Sequence, residues 1–284
     1  MADVAIAVAI MTGLALFFAA ALALAYRFLR VDEDPRLEVL EELLPGNNCG
    51  ACGEPGCAAF AGQLVAGTAQ PGKCTVASPE VQVEMAAFLG VDVGGDEKRI
   101  ARLKCAGGLL NARRLGDYQG VGSCRAAAVV DGGALACSWG CLGLGDCEVA
   151  CTFDAIHMND EALPVVAPEP CTACGDCVDV CPQDLFVLLP ESHHLFVQCN
   201  SPLAGEDAVS RCSVACDACG RCALDAPAGT VEMLGGLPVV HYDLEVRPTP
   251  QAAWRCPTGA IQWLKGRQFE ESDQEEVARR RGYG

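Results

Sequence analysis

The 284-residue sequence carries no glycine-rich phosphate cradle: neither G-x-G-x-x-G behind a strand nor G-x-x-x-x-G-K-[ST] occurs. That argues against NAD or ATP chemistry on this chain. Histidine is scarce, and His157, His193, His194 and His241 show no paired spacing with a nucleophile or a carboxylate. They read as surface or hairpin residues, and no catalytic residue is expected. Positive charge is short as well: 20 Lys and Arg stand against 37 Asp and Glu, a net charge of −17. Such a balance argues against nucleic acid as a partner. Only one long apolar run is expected to reach a membrane.

What the chain has is cysteine, 20 of them. A secreted disulfide scaffold and an intracellular metalloprotein both use cysteine this heavily. Spacing decides between them. Cys171, Cys174, Cys177, Cys181 and Pro182 spell C-x2-C-x2-C-x3-C-P, the bacterial ferredoxin run. In that run the first three thiolates hold one [4Fe–4S] cluster and the fourth ligates its neighbour. Cys181 therefore joins Cys137, Cys141 and Cys147, while Cys151 crosses over to Cys171, Cys174 and Cys177.

An internal repeat tests this crossover. Cys124, Cys137, Cys141, Cys147 and Cys181 recur 75 residues later as Cys199, Cys212, Cys216, Cys222 and Cys256. At the same offset, Cys151, Cys171, Cys174 and Cys177 become Ala226, Val246, Thr249 and Ala252. The losses remove the whole ligand set of one cluster, and the interleaved set Cys216, Cys219, Cys222 and Cys256 survives. Decay by complete sets supports three clusters in two ferredoxin-like modules.

A further set, Cys49, Cys52, Cys57 and Cys74, reads C-x2-C-x4-C-x16-C with Gly50, Gly53 and Gly56 interleaved. Glycine lets backbone N–H groups wrap closely around a metal–sulfur centre. Zinc is the alternative for four thiolates, but zinc knuckles come as paired C-x2-C and the long gap to Cys74 does not fit. Four [4Fe–4S] clusters thus use 16 of the 20 cysteines. Cys105, Cys124, Cys199 and Cys212 remain, either as ligands of a fifth cluster or as buried thiols packing like small hydrophobes. Leu144 stands where the repeat has Cys219, which makes Cys137 the expected fourth ligand of the first module.

Residues 4–26 form an uncharged run of 23 residues. As a helix it spans roughly 34 Å, enough for a hydrocarbon core of about 30 Å. Asp3 precedes it while Arg27 and Arg30 follow, which places the N-terminus outside and the rest in the cytoplasm. A cleaved signal peptide is the alternative, helped by Ala21, Ala23 and Ala25. Against it, no positive n-region precedes the run, and the run exceeds the usual length. The expected architecture is α+β. A transmembrane anchor covers 1–30, a small helical [4Fe–4S] domain 31–90, and two tandem ferredoxin-like modules 98–190 and 191–266. A polar tail follows at 267–284, and 91–97 read as a linker. Asp34-Pro35 and Ser78-Pro79 start helices. Hairpins are expected at 155–158 with 163–166, and at 230–233 with 237–240 around Gly235-Gly236. One basic stretch, Lys98, Arg99, Arg102, Lys104, Arg113, Arg114 and Arg125, reads either as a solvated surface or as a docking patch for an acidic carrier such as soluble ferredoxin.

The N-terminal apolar run, GNNCGACGEPGC at 46–57, CSWGCLGLGDCEVAC at 137–151 and CTACGDCVDVCP at 171–182 together resemble the B subunit of the Rnf complexes, along nearly the whole chain. The resemblance implies a complex of the inner (cytoplasmic) membrane that passes electrons from reduced ferredoxin to NAD, reversibly, with sodium or proton export. The B subunit would be its single-pass, ferredoxin-facing iron–sulfur wire on the cytoplasmic side, with flavin and NAD sites on other subunits. Two departures stand out: Thr152 replaces the usual proline after Cys151, and the set at Ala226, Val246, Thr249 and Ala252 has lost its cysteines. The rival readings are the iron–sulfur subunit of a hydrogenase- or formate dehydrogenase-type enzyme, and a non-catalytic iron–sulfur sensor.

Overall fold

The computed structural model describes residues 2–29, 34–95 and 97–269. Arg30, Asp96 of the linker and the tail from 270 onward lie outside the described residues. Helix α1 (Ala2–Leu29) is apolar on all sides. Its segment Val8–Phe28 has a mean hydropathy of 2.4 with none of it buried against the protein. A helix apolar all round with no protein cover suits lipid better than water. Among the described residues it is the one helix long and apolar enough to cross a membrane.

The next unit packs helices around one small core. Helix α2 (Pro35–Leu43) starts as the sequence predicts: the Asp34 carboxylate accepts the Arg36 N–H, and Pro35 supplies a preset φ. Helix α3 (Cys57–Val65) follows a loop of glycines, and α4 (Pro79–Leu89) begins at Ser78 and stops at left-handed Gly90. Leu40, Phe60, Leu64 and Met85 from the three helices bury together. At about 1.5–3 kcal/mol for each such side chain, this core is small.

Beyond it, two units follow one plan. The first runs β1 (Arg99–Leu103), α5 (Gly108–Asn111), α6 (Cys124–Val129), α7 (Asp146–Ala150), β2 (Ile156–Met158), β3 (Pro164–Val166), α8 (Asp176–Val180) and β4 (Phe186–Pro190). The second runs β5 (Leu195–Val197), α9 (Gly205–Val209), α10 (Arg221–Asp225), β6 (Val231–Leu234), β7 (Leu237–Val240), α11 (Gln251–Trp254) and β8 (Ile261–Trp263). In each, the first and last strands pair antiparallel (β1 with β4, β5 with β8) and an antiparallel hairpin lies between them. Helices α7 and α8, hairpin strand β2 and closing strand β4 each have a counterpart that starts 75 residues later. The sequence repeat is thus a repeat of structure. Both expected hairpins are present.

The basic stretch does not stay together. Arg102 is buried, its guanidinium donating to the Gly266 carbonyl at 2.7 Å. Next to it, the Gln268 side chain accepts from Leu103 N and donates to Leu103 O. Residues 266–269 therefore strap the outer edge of β1, and the polar tail begins only beyond them. Arg113, Arg114 and Arg125 remain exposed.

Candidate metal centres

Four concavities in the described structure are each lined by four cysteines. Cys49, Cys52, Cys57 and Cys74 face one of about 350 Å³, walled by Leu44, Phe60 and Val76. The loop that carries them closes through Asn48, whose amide oxygen accepts the Cys57 N–H at 2.8 Å. A side chain at Gly56 would sit 2.9 Å from that same oxygen, so only glycine leaves the contact intact.

Cys151, Cys171, Cys174 and Cys177 line a second concavity, of about 320 Å³, under Ala101 and Leu188 of the β1–β4 pair. A third, of similar size, is lined by Cys124, Cys141, Cys147 and Cys181, with Leu103, Leu185 and Phe186. Cys216, Cys219, Cys222 and Cys256 line the fourth, of about 290 Å³, against Met233, Pro238 and Ile261.

The crossover has a simple structural cause. Cys147 lies within α7 and Cys151 caps its C-terminus; Cys177 and Cys181 repeat the arrangement on α8. One turn of helix separates the members of each pair, so each short helix offers one sulfur to the second concavity and one to the third. Left-handed Gly145, Gly175 and Gly220 turn the chain into α7, α8 and α10. At Gly143, just after Cys141, a Cβ would come within 2.8 Å of Ala162, so the loop can close only over glycine.

Spacing groups Cys137 with Cys141, Cys147 and Cys181, whereas the third concavity is lined by Cys124 together with those last three. The Asp146 carboxylate explains the exchange: it accepts from the Ser123 hydroxyl at 2.9 Å and from the Arg125 N–H at 3.1 Å, pinning both neighbours of Cys124 to the start of α7. Such a tertiary tether leaves no spacing signature. The available signal was Leu144, which vacates the position filled by Cys219 in the repeat and forces a replacement from elsewhere.

Among the described residues, no three Cys, His, Asp or Glu side chains converge on a point fit for a single metal ion. Four cysteine sulfurs gathered at one concavity are the donor set that an iron–sulfur cluster uses. Burial pushes the Cys147 and Cys177 thiols up to about 12 and Cys216 to about 11, and neighbouring thiolates add to the push. Thiolates so disfavoured alone need a positive centre to share, which is what a metal site supplies.

The matches to known proteins agree with this chemistry. The family profile described as "FeS: Putative Fe-S cluster" matches residues 44–76, the segment around the first concavity. Over 87% of its length the chain is 35% identical to the B subunit of the Na(+)-translocating ferredoxin:NAD(+) oxidoreductase complex of Acetobacterium woodii, covering 74% of that protein. It is 36% identical to the B subunit of the ion-translocating oxidoreductase complex of Methanosarcina acetivorans, across 80% of this chain and 86% of the relative. With the B subunit of the proton-translocating ferredoxin:NAD(+) oxidoreductase complex of Clostridium ljungdahlii it shares 31% identity, over 95% and 96% of the two chains. The chain belongs to the B-subunit family of ion-translocating oxidoreductase complexes. In such an iron–sulfur subunit, the arrangement of the concavities carries the meaning. Thr75, beside Cys74, donates its hydroxyl to the carbonyl of Thr172, beside Cys171, at 2.6 Å. The first concavity thus abuts the second, and the second shares α7 and α8 with the third.

Proposed function

We propose that this chain is the iron–sulfur subunit of a membrane-bound, ion-translocating ferredoxin:NAD oxidoreductase, taking electrons from reduced ferredoxin for delivery to the other subunits. The observation that carries the reading is the pair of crossed cysteine sets on α7 and α8, set beside a third cysteine-lined concavity through Thr75 and Thr172. Four [4Fe–4S] clusters would be held by Cys49, Cys52, Cys57 and Cys74; by Cys151, Cys171, Cys174 and Cys177; by Cys124, Cys141, Cys147 and Cys181; and by Cys216, Cys219, Cys222 and Cys256. When bound, such clusters accept and release single electrons at potentials set by their surroundings. The chain's own part is to hold them near one another, to keep water off them with walls such as Phe60, Leu185 and Phe186, and to direct N–H groups at sulfur. The Ala155 N–H, 3.3 Å from Cys151 Sγ, is one of these.

Two tandem ferredoxin-like modules account for the repeated strand pairs and hairpins. Helix α1 serves as a single-pass anchor, with the cysteine-bearing units on the cytoplasmic side. Exposed Arg113 and Arg114 offer positive charge on an acidic protein, where an acidic carrier would be steered.

Stopped-flow mixing of the anaerobic, iron-loaded full chain with reduced ferredoxin tests the reading. Bleaching of cluster absorbance is expected. Arg113→Glu with Arg114→Glu should slow it roughly tenfold at low salt, the gap closing as salt screens the field. An iron-loaded chain that reduced ferredoxin leaves oxidised would refute the donor assignment.

A further inference from the structure

Cys105, Cys137, Cys199 and Cys212 lie outside the four concavities, and all four are buried. Backbone contacts between the two repeated units draw them together. The Ala106 N–H donates to the Gln198 carbonyl at 3.1 Å, which sets Cys105 beside Cys199. Ala112 and Cys212 face each other in an isolated antiparallel bridge, and Arg113 N donates to Arg211 O at 2.8 Å. The Arg211 guanidinium in turn donates to the Ala136 carbonyl at 2.9 Å, bringing Cys137 to the same place.

The Cys105 and Cys212 sulfurs face a common space. A Cβ at Gly107 would lie 3.4 Å from Cys212 Sγ and 3.6 Å from Cys105 Sγ, so glycine keeps that space open between them. Two N–H groups already point at Cys105 Sγ: Cys141 N at 3.3 Å and Gly107 N at 3.5 Å.

The repeat supplies an independent reason. Cys137 and Cys212 are equivalent positions, as are Cys124 and Cys199. In the first unit Leu144 leaves a vacancy that Cys124 fills. In the second, Cys219 makes Cys199 superfluous to its own set, and Cys199 is free to join Cys105, Cys137 and Cys212. One substitution thus accounts for the membership of three sets.

We propose that Cys105, Cys137, Cys199 and Cys212 hold a fifth iron–sulfur cluster at the junction of the two repeated units. The proposal rests on the iron–sulfur reading above. The site adjoins the third concavity through Cys141 N and Cys105 Sγ, and the fourth through Cys212 and Cys216 on one short loop. It therefore fills the gap in the series of concavities, joining the units that span residues 98–190 and 191–266.

Iron and acid-labile sulfide should be counted on the anaerobically purified full chain, with EPR of the reduced protein as a second readout. The wild type should carry about 20 iron atoms. Cys105→Ala and Cys212→Ala should each retain about 16, and their combination no fewer, because both break one cluster. Cys124→Ala with Cys212→Ala should fall to about 12, because these belong to different clusters. Each loss should remove one EPR component and leave the rest. A wild type with about 16 iron atoms would overturn the fifth cluster and leave the four-cluster reading standing. Full iron retention in Cys212→Ala would overturn it too. A wild type with almost no iron would overturn both.

Discussion

The second concavity, lined by Cys151, Cys171, Cys174 and Cys177, and the equivalent region of the second repeat show how the same stretch of fold closes with four cysteines and without them. In the first unit, the Ala155 N–H is satisfied by a sulfur, Cys151 Sγ. In the second, Ala226 replaces that cysteine, and the equivalent N–H, of Thr230, donates instead to the Pro227 carbonyl at 3.0 Å. The Thr230 hydroxyl donates to the same carbonyl at 2.8 Å, and its side chain is wholly buried. Around the positions that lack cysteine the second unit packs apolar side chains: Leu195, Val231, Ala252 and Ile261 share a core with Cys222, and Ala226, Val240, Tyr242, Cys256 and Trp263 pack on it. Tyr242 is its most specific piece. Its hydroxyl accepts from Leu195 N at 2.7 Å and donates to Leu195 O at 3.0 Å, locking it to β5, and burial pushes its phenol up to about 12.

The largest expected effect follows directly. Cys171→Ala with Cys177→Ala should remove about four iron atoms and unlock the loop at 151–155, raising its amide exchange by about tenfold or more. The equivalent loop at 226–230 should keep its protection, because its hydrogen bonds are internal. Hydrogen exchange with mass spectrometry on the anaerobic full chain resolves the two segments. Equal deprotection of both would show that the second half leans on iron after all.

Next in size is the tyrosine. Tyr242→Ala removes a half-buried ring and orphans the Leu195 backbone pair, costing about 2–3 kcal/mol. Tyr242→Phe keeps the ring and should cost about 1 kcal/mol. Urea titration of the iron-loaded protein checks both, and a loss below about 0.5 kcal/mol for the alanine would deny Tyr242 its structural role. A converse experiment sharpens the contrast. Restoring cysteine at Ala226, Val246, Thr249 and Ala252 should add little iron while Tyr242 and the Thr230 bonds hold the region closed. Adding Tyr242→Ala should let uptake rise toward about four further atoms. Full uptake with Tyr242 in place would mean that the missing thiolates alone had closed the site.

Much of this was legible in the residues. The 75-residue offset defined the repeat, and the elements recur at that same offset in the structure. The helix starts at Asp34 and Ser78 followed from local chemistry, and so did the Gly235-Gly236 hairpin. What escaped depended on contacts distant in sequence. Cys124 enters the third concavity because Asp146 tethers its neighbours across more than twenty residues. Arg102 leaves the basic surface because residues 266–268 strap the strand that carries it. The filling of the lost site by Tyr242 rests on bonds to Leu195, 47 residues away. Spacing rules group cysteines that share a loop or a helix turn; they do not register one brought to the same concavity by tertiary folding.

The smallest expected effect concerns His193, which stacks on Tyr242 with ring centroids 3.6 Å apart and planes within 8°. Its Nδ1 is buried without a hydrogen-bond partner in the structure. Burial lowers its pKa below the usual value, with Glu97 opposing the shift and Arg247 and Arg99 assisting it. The folded state therefore favours the neutral ring, while the unfolded chain takes up a proton near the ordinary value of about 6.5. Stability from the stack is then fully present above that pH and declines as the pH falls through it toward the lowered folded value. Between about pH 7.5 and pH 6 the wild type should lose about a degree or two more in Tm than His193→Gln, measured on the iron-loaded full chain. Parallel curves for the two proteins would show that protonation of His193 does not act on the fold, and would leave the stack as a packing contact alone.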